Sequence, residues 1–221
     1  MEWRRLKIAL FTSTYMLLMV WLAFFVRYLW GDSMPNLGIM PRDWASVANF
    51  LVSPLIHTGL DHLFNNSIAF FILFLTCFYF YGGIALWVVL GGVVSGFFVW
   101  IFGREAYHVG LSGVCYCLAS FLFFSGIIRK NLSLMTISLL VVFLQSEMIW
   151  GLFPSLNEPL NISWEGHLSG GVVGFFLAFR YRKQGPPNDS MPEEDDDEEE
   201  EDDVEDNQYE RDGSLLDEEN R

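Results

Sequence analysis

Six apolar blocks divide the chain, at about 7–29, 58–80, 84–102, 112–128, 132–152 and 165–181. Several reach the ~20 residues with which a helix crosses ~30 Å of hydrocarbon. The breaks between them are GDSMPN, YGG, FGRE, RKN and similar runs of Gly, Pro, Asn and charge, which punctuate helices. The first block follows Arg4, Arg5 and Lys7 and runs on to Trp30 without a small-residue cleavage site, so it reads as a retained helix and not as a signal peptide. Six spans predict both termini on one side. Arg4, Arg5, Lys7, Arg129, Lys130, Arg180, Arg182 and Lys183 gather on that side, which the excess of basic residues assigns to the cytoplasm; Arg27, Arg42 and Arg104 fall outside. Trp30, Trp44, Trp100, Trp150 and Trp164 flank the outer ends, where an indole ring suits the headgroup layer. The predicted external loop, about 31–57, carries Trp44, Phe50 and Pro54 among polar residues and is expected to lie partly in that layer.

Composition agrees with a lipid-embedded body: 52% of the 221 residues are hydrophobic, with 21 Phe and 8 Trp, more than a soluble core of this size uses. The fold class expected is an all-α integral membrane protein, a bundle of six transmembrane helices over 1–184 followed by a disordered acidic tail over 185–221. The formal charge of −14 misleads, because 19 of the 27 carboxylates lie from Asp189 onward against Arg211 and Arg221 alone. The tail therefore carries −17 and the body +3, and the net charge gives no indication of a nucleic-acid partner. From Glu193 to Asp203 the acidic run is unbroken, and such a segment buries too little apolar surface to offset its chain entropy. Cys77, Cys115 and Cys117 all fall inside apolar blocks and read as small buried hydrophobes, not as a disulfide framework or a zinc site.

Polar residues inside spans are costly and usually face the bundle interior. The second block opens with His57, Asp61, His62, Asn65 and Asn66, the fourth with Gly110, Leu111, Ser112 and Gly113, and the sixth with Glu165, Gly166 and His167. All three blocks run from outside to inside, so these groups share one layer near the outer face. Singly, Ser112 reads as a helix cap or packing residue and each histidine as an interfacial side chain. Helical spacing gathers them further: residues four apart differ by ~40° around the axis and residues five apart by ~140°. His62 and Asn66 therefore share a face, as do Ser112 and Tyr116, whereas His57 is expected to point away from His62 and bind a loop carbonyl or water. Gly170, Gly171 and Gly174 after His167 form a small-residue stripe that lets the sixth helix approach the fourth, which offers Gly113, Cys117 and Ser120. That approach would bring Ser112 and His167 within hydrogen-bond reach, the geometry of a nucleophile and its base; packing alone also accounts for the glycines.

These residues resemble the rhomboid intramembrane proteases over about residues 7–181. The GxSG motif appears as Gly110-Leu111-Ser112-Gly113, the HxxGxxxG motif as His167 to Gly174, and the second-helix histidine and asparagine as His62 and Asn66 in HTGLDHLFNN. The resemblance implies that Ser112 is the nucleophile and His167 the general base, with no third carboxylate. It further implies that His62 and Asn66 form the oxyanion hole and that Tyr116 packs on the catalytic imidazole, with Gly110, Gly113, Gly170 and Gly174 in support. The substrate it implies is a transmembrane segment that unwinds near the outer leaflet, with a small residue before the cut. Water is expected to reach the site through an outward-facing cavity lined by His62, Asn66, Ser112 and His167. The sequence departs from the family where many members carry a Trp-Arg pair nine residues before the first histidine; Ala48 and Asn49 stand there. Loop structure and substrate access are expected to differ accordingly.

Two other readings stay open. One is a catalytically silent rhomboid-like protein that binds transmembrane segments; the other is a proton-coupled transporter using Glu147 and the histidines, for which the polar groups sit too close to one face. Glu147 reads as a structural hydrogen-bonding group at the outer part of the fifth helix, and Glu165 as a loop residue in water. No metal or organic cofactor is expected, and the partners expected are transmembrane protein substrates and the lipid bilayer. The expected location is a multi-pass position in a bacterial inner membrane with both termini cytoplasmic; the sequence leaves the oligomeric state open.

Overall fold

The apolar blocks fold as helices and the breaks become their joints. The computed structural model describes residues 2–31, 34, 36–144, 151 and 163–187. Among these residues there are six α-helices: α1 Glu2–Trp30, α2 Leu60–Tyr81, α3 Ile84–Phe102, α4 Ser112–Arg129, α5 Leu132–Leu144 and α6 Trp164–Arg180. Four of them, α1 to α4, are long and apolar enough to cross a membrane. Helix α5 is apolar over its 13 residues, and α6 has 17. The end of the fifth block, with Glu147 and Trp150, and the acidic tail from 188 onward lie outside the described residues.

Local chemistry sets the joints. Gly82, at φ 56°, closes α2 and opens the short turn into α3, a conformation costly for any residue with a Cβ. Lys130 adopts the left-handed region at the end of α4, where its N–H reaches the Gly126 and Ile127 carbonyls, and Asn131 then accepts a bond from the Leu134 N–H at 3.1 Å to start α5. Beyond α6, Arg129 donates to the carbonyls of Arg182 (3.0 Å), Gly185 (3.3 Å) and Pro186 (2.6 Å), so the chain leaving α6 is held against the end of α4.

Helix α4 lies at the centre, packed against α2, α3, α5 and α6, and it buries an unbroken run from Val114 to Ala119. The small residues set its distance from α6. A Cβ on Gly170 would sit against the Gly113 carbonyl and one on Gly174 against the Cys117 carbonyl, and Ser120 Oγ donates to the Gly171 carbonyl at 2.7 Å. Cys77, Cys115 and Cys117 are free thiols buried in this core. Helix α1 sits at the edge against α2, joined by a Trp21 Nε1–Ser67 Oγ bond of 3.0 Å, with Phe11, Leu18 and Leu22 facing outward.

The described part of the segment between α1 and α2 is folded and not extended coil. It contains two short 3-10 helices, Trp44–Leu51 and Ser53–Leu55. Ile39 pairs with His108 in an antiparallel bridge, both N–O distances being 2.9 Å. Arg42 Nη1 donates to the Gly103 carbonyl at 2.7 Å. The Trp44 ring lies 4.9 Å from that of Trp100 at a 59° tilt yet remains 77% exposed, and Leu51 is also exposed, an arrangement suited to a headgroup layer. Asn49 donates to the Gly38 carbonyl at 2.9 Å and ties the loop to itself.

Candidate active site

Ser112 is the first residue of α4 and His167 stands in the first turn of α6. Because glycines allow the two backbones to meet, Ser112 Oγ lies 2.8 Å from His167 Nε2. The other ring nitrogen, Nδ1, is 2.8 Å from the Gly151 carbonyl. A carbonyl only accepts, so Nδ1 carries the proton and Nε2 is left with the lone pair that receives the serine O–H. The Tyr116 ring stacks on the imidazole at 4.2 Å with an 18° tilt, and His167 is 8% exposed. The pair is thus held from three directions: a carbonyl behind, an aromatic face beneath and the hydroxyl in front.

Gly110 connects this pair to α2. Its φ of +110° favours glycine, and a Cβ there would fall 2.9 Å from His62 Cε1 and Nε2 and 3.6 Å from Asn66 Nδ2. His62 and Asn66 therefore flank the backbone that leads into Ser112. Thr58 Oγ1 lies 3.2 Å from His62 Nδ1; with that hydroxyl donating, Nε2 bears the proton on the side of Gly110. Asn66 Nδ2 is buried with no hydrogen-bond partner, an uncommon state for an amide donor and one that costs stability unless a ligand uses it.

The structure corrects the direction expected for His57 while giving it a loop carbonyl as partner. Its spacing of five from His62 predicted opposite directions, but α2 begins only at Leu60, so helical angles do not apply to residue 57. The two rings pack edge to face at 5.1 Å. His57 Nδ1 lies 3.4 Å from the Leu55 carbonyl. Burial, and then the neighbouring His62, lower its pKa to about 4, with the Leu55 carbonyl opposing.

Glu165 is also corrected. It is not a loop residue in water: it belongs to the first turn of α6, is 7% exposed, and faces Arg104 at 3.2 Å. The complementary charge comes from Arg104 in the α3–α4 connection, a basic residue that nothing in the sequence pairs with Glu165. The same connection carries His108, whose Nδ1 lies 2.6 Å from Ser163 Oγ and whose Nε2 lies 3.1 Å from the Arg104 carbonyl. His108 is not among the residues that the sequence motifs single out, although it stands four residues before Ser112. Burial lowers its pKa, against the raising effect of the Arg104 carbonyl.

A cavity of about 40 Å³, room for ~3 waters, adjoins Ser112 and is lined in part by Ser53, His108, Gly110 and Ser163. It differs from the expected cavity, because His62, Asn66 and His167 are not among its walls; it opens on the α3 side of Ser112. Among the described residues no group of three His, Cys, Asp or Glu side chains is placed to hold a metal ion.

The long apolar helices and a hydroxyl–imidazole pair sunk among them define a helical membrane protein with a polar site at one end of its bundle. The family profile described as the Rhomboid domain matches residues 44–184. The chain therefore belongs to the rhomboid family and is a multi-pass membrane protein. Similar chains include uncharacterized proteins of Mycobacterium tuberculosis and Mycobacterium bovis, each 27% identical over 172 residues, which span 73% of this chain and 70% of the relative. An uncharacterized protein of Mycobacterium leprae is 26% identical over 176 residues, 73% of this chain and 66% of its own.

Proposed function

We propose that this rhomboid-family chain is an intramembrane serine endopeptidase that cuts transmembrane segments near the outer leaflet with a Ser112–His167 dyad. The observation that carries the proposal is the 2.8 Å Ser112 Oγ–His167 Nε2 contact, with Nδ1 anchored on the Gly151 carbonyl. In this reading His167 takes the serine proton as Oγ attacks the scissile carbonyl. His62 Nε2–H and Asn66 Nδ2–H donate to the developing oxyanion, and the N-terminus of α4 adds a favourable field. The tetrahedral intermediate collapses as His167 returns the proton to the leaving amine, which forms the acyl-enzyme. Water then attacks the acyl-enzyme with His167 again as base, and the second intermediate breaks its bond to Ser112 as His167 returns that proton to Oγ and the acid product leaves.

Tyr116 fixes the plane of the imidazole, and Gly110, Gly113, Gly170 and Gly174 hold the backbones close enough for the pair to form. No cofactor or metal takes part in this chemistry. The arrangement in the bilayer is six spans with both termini cytoplasmic, supported by the distribution of basic residues. The mycobacterial relatives support a bacterial inner membrane.

The test is cleavage of a labelled transmembrane substrate in proteoliposomes by the wild type, Ser112→Ala and His167→Ala at matched amounts of folded protein. The proposal expects cleavage by the wild type and its loss in both variants. Cleavage that persists in Ser112→Ala would overturn it. A wild type that binds the segment without cutting it would favour the catalytically silent reading.

A further inference from the structure

We infer that Glu165 and Arg104 position His167 for the reaction, an inference that rests on the dyad reading above. The two halves of the dyad arrive on separate elements: Ser112 follows the 103–111 connection, and His167 follows the start of α6. Glu165 joins them. Its Oε1 accepts from the Arg104 backbone N–H at 3.3 Å and from Nη1 at 3.3 Å, and its Oε2 lies 3.2 Å from the same Nη1. A guanidinium alone would let the connection drift on a flexible side chain. The contact to the Arg104 N–H ties the carboxylate to the backbone that leads into Ser112.

A second bond set reinforces the joint. The Arg104 carbonyl only accepts, so His108 Nε2–H donates to it at 3.1 Å, leaving Nδ1 to accept the Ser163 O–H at 2.6 Å. Ser163 Oγ in turn accepts the Gly166 N–H at 3.3 Å as the cap of α6. The connection is also fixed from the other side by the Ile39 bridge at His108 and by Arg42 Nη1 on the Gly103 carbonyl.

Helix geometry turns this joint into a control of His167. Residues 165 and 167 lie ~200° apart around the axis, so a carboxylate pinned on one side sets the direction of the imidazole on the other. The small-residue stripe sets the distance between α4 and α6, and the ion pair sets the rotation and depth of the outer end of α6. With its side chain only 8% exposed, Glu165 is strongly disfavoured without its partner, which keeps the joint closed.

The experiment measures the rate of fluorophosphonate modification of Ser112, and kcat and KM for a labelled transmembrane substrate, in the full chain in proteoliposomes. The variants are Glu165→Ala, Arg104→Ala, the double variant and Glu165→Gln, with rates taken per folded molecule. Misplacement of the base by about 1 Å is expected to slow modification by ~10- to ~100-fold in either alanine variant, with kcat reduced and KM unchanged. The double variant is expected to be no slower than the slower single one, because both remove the same joint. Glu165→Gln keeps an acceptor for the Arg104 N–H and is expected to recover part of the rate; it also carries the test where the alanine variants do not fold. Wild-type rates in Glu165→Ala or Glu165→Gln, or losses that only follow the folded fraction, would overturn the inference and leave the dyad intact. A folded wild type that is not modified at Ser112 would overturn the dyad reading and this inference with it.

Discussion

The contact between α4 and α6 and the contact between α1 and α2 are built differently. Between α4 and α6, backbone meets backbone: Gly170 lies on the Gly113 carbonyl, Gly174 on the Cys117 carbonyl, and Ser120 reaches across to Gly171. On the α1 side, Met16, Leu17, Trp21 and Phe24 pack half-buried against the core, and an indole–hydroxyl bond from Trp21 to Ser67 joins α1 to α2. Lipid is as apolar as leucine, so burial of large side chains gives helices little reason to associate in a bilayer, whereas close backbone packing does. The tight contact is also the one that carries the polar pair. A hydroxyl and an imidazole on different helices stay within 2.8 Å only where the two backbones have no freedom to part.

Breaking that contact should give the largest effect. Gly174→Leu places a side chain where the Cys117 backbone stands, so α6 must separate from α4; the overpacking costs ~1–3 kcal/mol or more. The expected result is a lowered melting temperature in detergent and no cleavage. Leu18→Ala, on the exposed side of α1, should leave both unchanged. Equal effects of the two substitutions would erase the distinction drawn above.

A third substitution separates chemistry from packing. Asn66 presents a buried donor without a partner, so Asn66→Ala removes no bond of the resting protein. It should reduce kcat by ~10²- to ~10³-fold, as loss of an oxyanion donor does, while the melting temperature stays at or above the wild-type value. A lower melting temperature with kcat unchanged would make Asn66 a structural residue.

Acid should loosen the end of the bundle that carries His57 and His108 in a graded way. His57 has its pKa lowered from 6.5 to about 4, and His108 is lowered as well. His57 binds a proton more readily when released than when folded, so the stability it gives is complete above pH ~6.5 and is lost as pH falls toward 4, and the lowered pKa of His108 acts in the same direction. Thermal unfolding between pH 7 and pH 4 should show the midpoint falling through this window. A midpoint that rises as the pH falls would contradict the burial of these rings in neutral form.

Much of this arrangement was legible in the sequence because it rests on periodicity and spacing. The apolar blocks gave helices whose described boundaries match to within a few residues, apart from α1, which starts five residues early because Glu2, Arg4 and Arg5 continue the turn beyond the apolar stretch. The four-residue spacing that set His62 beside Asn66 and Ser112 beside Tyr116 is intrinsic to a helix. The Arg104–Glu165 pair, the Gly151 carbonyl behind His167 and the His57–His62 contact were not legible. Each joins residues from loops or helix ends far apart in the chain, where no period relates the positions. The error over Glu165 has the same origin: a carboxylate near a helix start reads as solvated until a distant cation is known to face it.

The central claim is that Ser112 is a nucleophile activated by His167, and covalent trapping tests it most directly. The wild type in proteoliposomes would be treated with a fluorophosphonate and the adduct mapped by peptide mass, alongside His167→Ala at the same folded amount. The account predicts a single adduct on Ser112 and its near-complete loss in His167→Ala. An adduct on another residue, or undiminished modification of Ser112 without His167, would contradict it.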